Sequence, residues 1–445
     1  MSTRRGERRG SDGRAPRVEQ VEITSIGNGG EGVGRLADGR AVFVHRTAPA
    51  EVVRIELITM KPRWARGRLL EVLEASPERR DGPCPHYANC GGCTLEHLLY
   101  PAQLRAKGRI VADALRRIGG ITVEPPNVVP SPAEFNYRNR VSFALHRGAR
   151  GSVVAGFHAL HAPDDIIPID GACLLPEESI GQVWDRLRAA WGPDARMLPS
   201  GERLRLTLRA TTHGSVSLLI EGGFSRGRPE ELLAAVDGLA AIWHHPEARD
   251  PELLAGAPGL PESWGDESFE LGGTAFLQVN RAAAAVLEAY VMELAGDVEG
   301  QSVVDAYCGI GIHARRLARA GASVTGIELD PTALDVAEGV GADGIRYLNG
   351  RVENLLGEAL PADLVVLNPP RAGVDPAAID TLLAEPPGRV IYISCDPATL
   401  ARDLKRLAGA FHLTDIRCFD LFPQTAHVET VVQLRTRDES AAPES

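Results

Sequence analysis

The 445-residue chain lacks the marks of several protein classes. No apolar run reaches membrane-spanning length, which excludes a helical membrane protein. The basic N-terminus (Arg4, Arg5, Arg8, Arg9) is not followed by an apolar segment, which argues against a secretory signal. A disulfide framework is missing too: there are seven cysteines, an odd number. Three of them crowd into Cys84–Cys93, which points to metal binding in a reducing compartment, and the expected location is cytoplasmic. Nor is there an overall positive charge, since the net of -11 does not advertise a nucleic-acid binder. No internal repeat is visible.

What is present is a long globular chain, 44% hydrophobic and 24% charged. Its length exceeds one ordinary core, so two or three domains are expected. The charge is uneven. Residues 1–80 hold 16 Lys+Arg and 11 Asp+Glu, a net of 16 − 11 = +5, and the remainder carries (48 − 16) − (59 − 11) = −16. A basic front end on an acidic body suits a polyanion-binding module, although a basic tail on an ordinary solvated surface gives the same count.

The chain divides by pattern. Residues 1–16 are rich in Arg, Gly and Ser and read as a disordered tail, as do residues 437–445. Residues 17–77 read as short strands at Val18–Ile26, Ala41–His45, Glu51–Ile58 and Arg68–Leu73, with a glycine-dense turn at Gly27–Gly34. That spacing predicts a small β-barrel of the oligonucleotide-binding sort. Lys61, Arg63, Trp64, Arg66 and Arg68 interleave cations with an aromatic, as an RNA-facing surface does and as a solvated edge strand also can. Residues 78–270 form a β-rich central region opened by Cys84, Cys90 and Cys93. Its helical stretch 95–120, with Leu104, Val111, Leu115 and Ile118 on one face, is placed against the following domain. Residues 271–436 alternate strand and helix, with strands near Val303–Tyr307, Ser323–Ile327, Ile345–Leu348, Leu364–Leu367 and Val390–Ser394. This predicts a parallel, Rossmann-like sheet, and the final strands Phe411–Phe419 and Val428–Leu434 make a hairpin.

Four motifs sit at strand ends of that sheet. In Asp305–Gly311, Gly309 and Gly311 make a tight turn before a helix, and Glu328 ends the next strand. Glycines let the backbone approach a ligand, and the carboxylate is placed for ribose hydroxyls. The third glycine of a dinucleotide fingerprint is missing, which favours S-adenosylmethionine over a nicotinamide cofactor. Asn368-Pro369-Pro370-Arg371 follows the fourth strand and aims Asn368 at the cleft. Cys395 ends a strand, with Asp396 as N-cap and Pro397 at the first helical position. The helix dipole favours its thiolate and Asp396 opposes it, so the net effect stays open. Glu429 follows His427 at the start of the last strand and is a candidate base near that thiol. Cys84, Cys90 and Cys93, with Cys173 as a remote fourth, suit either zinc or an iron–sulfur cluster.

Together these residues resemble the RNA uracil-C5 methyltransferase family, in its branch with a TRAM domain and a 4Fe–4S cluster. The similarity runs from about residue 17 to 435 and includes Phe276-Leu277-Gln278-Val279-Asn280. It implies Cys395 as nucleophile and Glu429 as proton acceptor. It implies that Gln278, Tyr307, Gly309, Gly311, Glu328 and Asn368 surround S-adenosylmethionine, and that Cys84, Cys90, Cys93 and Cys173 bind the cluster. The implied fold is a multidomain α/β chain: a TRAM barrel, an iron–sulfur domain and a seven-stranded methyltransferase sheet. The implied substrate is uridine in structured RNA, 23S ribosomal RNA ahead of transfer RNA. Cytosine-C5 methylation and a non-catalytic RNA-binding protein are the other readings. Two positions depart from the family: Asn368 stands where Asp is usual, and Ala50 where glycine commonly precedes Glu51.

Overall fold

The computed structural model describes residues 17–148, 151–171, 173–247, 249–273 and 275–437. The expected tail at 1–16, and all but Arg437 of the expected tail at 437–445, lie outside the described residues. The chain forms two compact units. One runs to Asp81 and takes in His97–Leu99; the other comprises Gly82–Glu96 and the chain from Tyr100 onward.

The first unit is a closed five-stranded barrel in the order Val18–Ile26, Gly32–Arg35, Ala41–Val44, Trp64–Glu74, Val52–Met60. Alternate residues Val21, Ile23, Val42, Val44, Val53 and Ile55 point inward, as period-two patterning requires. The expected turn at Gly27–Gly34 is only half a turn, because Gly32–Arg35 is a strand. A Cβ at Gly32 would collide with Thr47 Oγ1, and one at Gly34 with Val21. These glycines therefore admit neighbouring side chains within the barrel and do not bend the chain. Ala50 lies in the left-handed region (φ 66°), which explains why glycine suits that place. Beside it the buried Glu51 accepts from Ala48 N (2.8 Å) and pairs with Arg79. On the barrel surface, Lys61, Arg63, Arg66 and Arg68 are exposed, and Arg66 lies over the Trp64 ring at 5.7 Å.

The second unit holds the catalytic sheet and a seven-stranded sheet. The latter runs Glu252–Gly256, Leu239–His245, Val216–Glu221, Arg203–Ala210, Arg140–Arg147, Val153–His158, Ile166–Pro168. One of its faces packs on the helix Glu178–Ala190, where Phe143 stacks on Trp184 at 3.9 Å between centroids. The other, eight-stranded sheet runs Ile345–Asn349, Ser323–Glu328, Ser302–Ala306, Leu364–Leu367, Arg389–Ser394, Glu429–Thr436, Phe411–Phe419, Val128–Val129. The first five strands are parallel, and Glu429–Thr436 inserts antiparallel between Arg389–Ser394 and Phe411–Phe419. The eighth strand comes from far upstream, where Val128 and Val129 pair with Cys418 and Phe419.

The helix Tyr100–Ala114 continues into a wider π-helical turn, Leu115–Gly119, and stops at Gly120 (φ 71°). Val111 and Leu115 join Leu400, Ala401 and Leu404 in one core. Ile118, expected on that face, is exposed, because the π-turn rotates it away.

Candidate active site

The cofactor loop is built from the end of the strand Ser302–Ala306. Tyr307, Gly309 and Gly311 all take left-handed conformations (φ 63°, 55° and 75°), which turns the chain sharply into the helix Ile312–Arg319. A side chain at Gly311 would strike the Tyr347 hydroxyl, whereas Gly309 faces open space. Glu328, at the end of the adjacent strand, accepts from Gly309 N (2.9 Å). Asp305 is fully buried. One carboxylate oxygen accepts from Ala314 N (2.9 Å), and the other has no hydrogen-bond partner. Burial, and then the charge of Glu328, push its pKa up to about 7. The open space beside Gly309 and the Glu328 carboxylate at the neighbouring strand end suit a nucleoside-bearing ligand.

Two neighbouring segments complete this end of the sheet. Asn368 follows Leu364–Leu367, and its N–H donates to Ala306 O (3.2 Å), so it stands beside Tyr307. The loop after it is anchored by Asp403, which accepts from Val374 N (3.0 Å) and Tyr392 OH (2.8 Å), and by Arg402, which donates to Ala372 O (2.8 Å). Half-buried Gln278 lies between Leu277, which shares a core with Ile310 of the cofactor loop, and Asn280, the N-cap of the helix Arg281–Ala295.

Cys395 directly follows the strand Arg389–Ser394. Asp396 caps the next helix by accepting from Ala398 N (2.9 Å) and Thr399 N (3.0 Å), with Pro397 in the first turn. The antiparallel register decides what lies near the thiol. Ser394 pairs with Thr430 in the last rung of this ladder, and Cys395 and Glu429 are the next residues on the two segments, near enough for the charge of Glu429 to act on the thiol. Burial first, and then the charge of Glu429, push the Cys395 thiol up to about 11, while Arg371 acts in the opposite direction. The balance left open by the sequence thus falls on the neutral thiol. Glu429 is 4% exposed, and burial pushes it up to about 7 against the pull of Arg371.

The turn that delivers Glu429, residues 420–428, is tied to distant segments. Lys107 Nζ donates to Asp420 Oδ1 (2.5 Å) and Phe422 O (3.0 Å), and neither charged side chain is exposed. Gln103 and Gln424 exchange two hydrogen bonds (2.9 and 3.0 Å). Thr94 N and Leu95 N donate to Gln424 O (both 2.9 Å), Tyr137 OH to Pro423 O (3.0 Å), and Asn280 Nδ2 to Leu421 O (3.2 Å). Lys107, Gln103 and Arg371 did not figure among the sequence candidates. A signal existed for Lys107, which falls between Leu104 and Val111 on the apolar face of its helix, where a cation needs a buried partner.

Cys84, Cys90, Cys93 and Cys173 line one cavity of about 330 Å³. Gly92 N donates to Cys90 Sγ (3.4 Å), and burial pushes Cys173 up to about 12. Among the described residues, however, no group of three or more His, Cys, Asp or Glu side chains is arranged to hold a metal ion. The expected ligands share a cavity without closing to ligating geometry. The iron–sulfur expectation therefore finds no support in this geometry.

Comparison with known proteins bears on the same residues. Residues 350–437 match the tRNA (Uracil-5-)-methyltransferase family model, residues 17–70 the TRAM domain, and residues 303–387 a methyltransferase domain. An RNA methyltransferase of Gloeobacter violaceus is 36% identical, with 93% of this chain and 95% of the relative aligned. The chain belongs to the RNA uracil-5-methyltransferase family. Another RNA methyltransferase, from Thermosynechococcus vestitus, is 33% identical over 94% of this chain and 98% of its own. The solved Pyrococcus abyssi tRNA (uracil-54, C5)-methyltransferase, in complex with S-adenosyl-L-homocysteine, superposes with a TM-score of 0.72. It is 26% identical and covers 94% of this chain and 100% of its own. This uracil-5-methyltransferase is accordingly an S-adenosylmethionine-dependent enzyme acting on RNA, with a TRAM barrel ahead of its catalytic sheet. No helix among its described residues is long and apolar enough to cross a membrane.

Proposed function

We propose that this enzyme methylates C5 of a uridine in structured ribosomal RNA of the 23S type, in the cytoplasm, through a covalent adduct between Cys395 and C6 of the base. The observation that carries this reading is that Cys395 and Glu429 each adjoin the last paired residues, Ser394 and Thr430, of adjacent antiparallel strands. Uracil C5 is a weak nucleophile, and sulfur bonded to C6 makes C5 enolate-like. Bound S-adenosylmethionine supplies the methyl group to that carbon. Gln278, Tyr307, Gly309, Gly311, Glu328 and Asn368 hold the cofactor; Asn368 keeps an acceptor oxygen without the charge of the usual Asp. Cys395 sheds its proton to solvent, helped by Arg371, before bonding to C6. The Glu429 carboxylate then takes the C5 proton, the S–C6 bond breaks, and its electron pair returns to sulfur. The base must leave its stack to be reached from both faces, which favours RNA loops as targets.

RNA containing 5-fluorouridine tests this, because fluorine at C5 cannot leave as a proton. The expected result is a covalent protein–RNA complex that requires Cys395 and S-adenosylmethionine and is lost in Cys395→Ala, with cofactor binding retained. Normal turnover in Cys395→Ala refutes the nucleophile. Transfer RNA is the second reading, favoured by the substrate of the solved Pyrococcus relative. Mapping 5-methyluridine in both RNA classes, with and without the enzyme, separates the two.

For the four-cysteine cavity, we propose a 4Fe–4S cluster held by Cys84, Cys90, Cys93 and Cys173. Four soft donors on one cavity, with an N–H···S bond from Gly92, fit such a group. Ligand geometry would then form on binding, as metal sites commonly do. Iron and sulfide analysis of anaerobically purified protein decides it: about four irons per chain support the cluster, and a single zinc excludes it.

A further inference from the structure

The seven-stranded sheet has one apolar face and one cationic face. Val141, Phe143 and Leu145, with Leu204, Leu206 and Leu208, are buried against the helix Glu178–Ala190. Strand alternation sends Arg140 and Ser142, and from the next strand Arg205, Thr207 and Arg209, to the opposite face. The register sets Arg209 directly across from Arg140, and Thr207 across from Ser142. Like charges so opposed are unfavourable. Arg209 is only 5% exposed, and neither of its terminal nitrogens finds a hydrogen-bond partner. Burial, followed by the charge of Arg140, holds it down to about 9. The acids beside them are Glu221, 3.3 Å from Arg205, and the buried Glu262, whose charge acts on Arg209.

Arg138, Arg140, Ser142 and Arg205, together with Val279, form one wall of the cavity that the four cysteines also line. Asn139 ties that cluster to the segment carrying Gln278: its Nδ2 donates to Gln278 O (2.9 Å) and its N–H to Val279 O (2.9 Å). The cationic face is thus continuous with the active-site end of the chain. A buried guanidinium whose terminal nitrogens lack hydrogen bonds is costly to the fold, and an anion from outside offsets that cost.

We propose that this face is a phosphate-binding subsite for the backbone of the RNA substrate. Arg140 and Arg205 contact phosphate oxygens, and Arg209 beneath them strengthens the positive potential. The inference rests on the RNA-methyltransferase reading and adds to it a second site of RNA contact, on the sheet. Phosphate contacts carry no base information, so the subsite sets register on the RNA and not sequence choice.

The test measures binding of a fluorescein-labelled RNA stem-loop by anisotropy, in S-adenosylhomocysteine, from about 50 to about 300 mM NaCl. Wild type is compared with Arg140→Gln, Arg205→Gln and the double variant. Each single change should lower the slope of log affinity against log salt by about 0.8, and the double variant should bind about tenfold more weakly near 0.1 M salt. The loss should be equal on a stem-loop of unrelated sequence. Arg209→Met separates recognition from folding: RNA binding should fall while the melting temperature rises, since a buried charge whose terminal nitrogens lack hydrogen bonds has been removed. Unchanged slopes with normal wild-type binding overturn the subsite and leave the methyltransferase reading intact. A wild type that binds no RNA sinks that reading as well. Loss of bound iron without any change in RNA slope would assign these arginines to charge balance for a cluster in their shared cavity and overturn the subsite, and an Arg209→Met protein that melts lower and binds normally would make Arg209 structural.

Discussion

Replacing Glu429 by glutamine should make the enzyme more stable and less able to finish its reaction, and the two effects share one cause. The carboxyl is 4% exposed and is pushed from 4.5 to about 7. In the unfolded chain it ionises at its ordinary value; in the folded chain it stays protonated to about 7. Between those values the unfolded state binds fewer protons, so this group's contribution to stability is full below 4.5 and is lost as pH rises through 7. At ~1.36 kcal/mol per pKa unit, the loss above pH 7 is about 3 kcal/mol. Glutamine has the same shape and no charge at any pH. Glu429→Gln should therefore match wild type at pH 4.5 and exceed it by up to about 3 kcal/mol at pH 8. Chemical denaturation followed by circular dichroism at both pH values reads this directly. In the same variant, methylated RNA should accumulate bound to protein. In wild type, release of product should rise about tenfold from pH 6 to pH 8 as the carboxylate forms. A stability difference that does not change with pH, or product release at the normal rate in the variant, would refute the argument.

Arg371→Gln removes the charge that opposes the upward push on both Cys395 and Glu429. The pH profile for product release should move to higher pH, and trapping on 5-fluorouridine RNA at neutral pH should slow; a superimposable profile counts against this role. Lys107→Met leaves Asp420 buried without its partner and should cost about 3–5 kcal/mol by chemical denaturation. The double variant Lys107→Met/Asp420→Leu should recover most of it, and failure to recover would show that the pair holds more than itself. Ala50→Gly should stabilise the barrel by about 1 kcal/mol, because Ala50 occupies the left-handed region; thermal melting of the full chain checks the sign.

Much of the catalytic sheet was legible because its signals are local. The strand ends at Ala306, Glu328, Leu367 and Ser394 all fall within one residue of the ends expected at Tyr307, Ile327, Leu367 and Ser394. Asp396 reads as a cap in the sequence and caps in the structure, since capping depends on the two or three residues that follow it. Gly32–Arg35 was misjudged for the converse reason. Glycine density usually means a turn, and here the reason for the glycines is the side chains of Thr47 and Val21 elsewhere in the barrel.

The sequence by itself determined most of the order of strands and helices in the larger sheet and the positions of the glycine loop, Cys395 and Glu429 at its strand ends. Periodicity, caps and turn residues act over a few positions and survive in a one-dimensional reading. Only the tertiary structure decided that Cys395 and Glu429 come to the same end of adjacent strands, that Lys107 neutralises an aspartate 313 residues away, and that Arg140 and Arg209 meet on one sheet face. Those facts depend on strand register and on burial. Both are set when distant segments pack together, and neither is written in the residues next to the ones concerned.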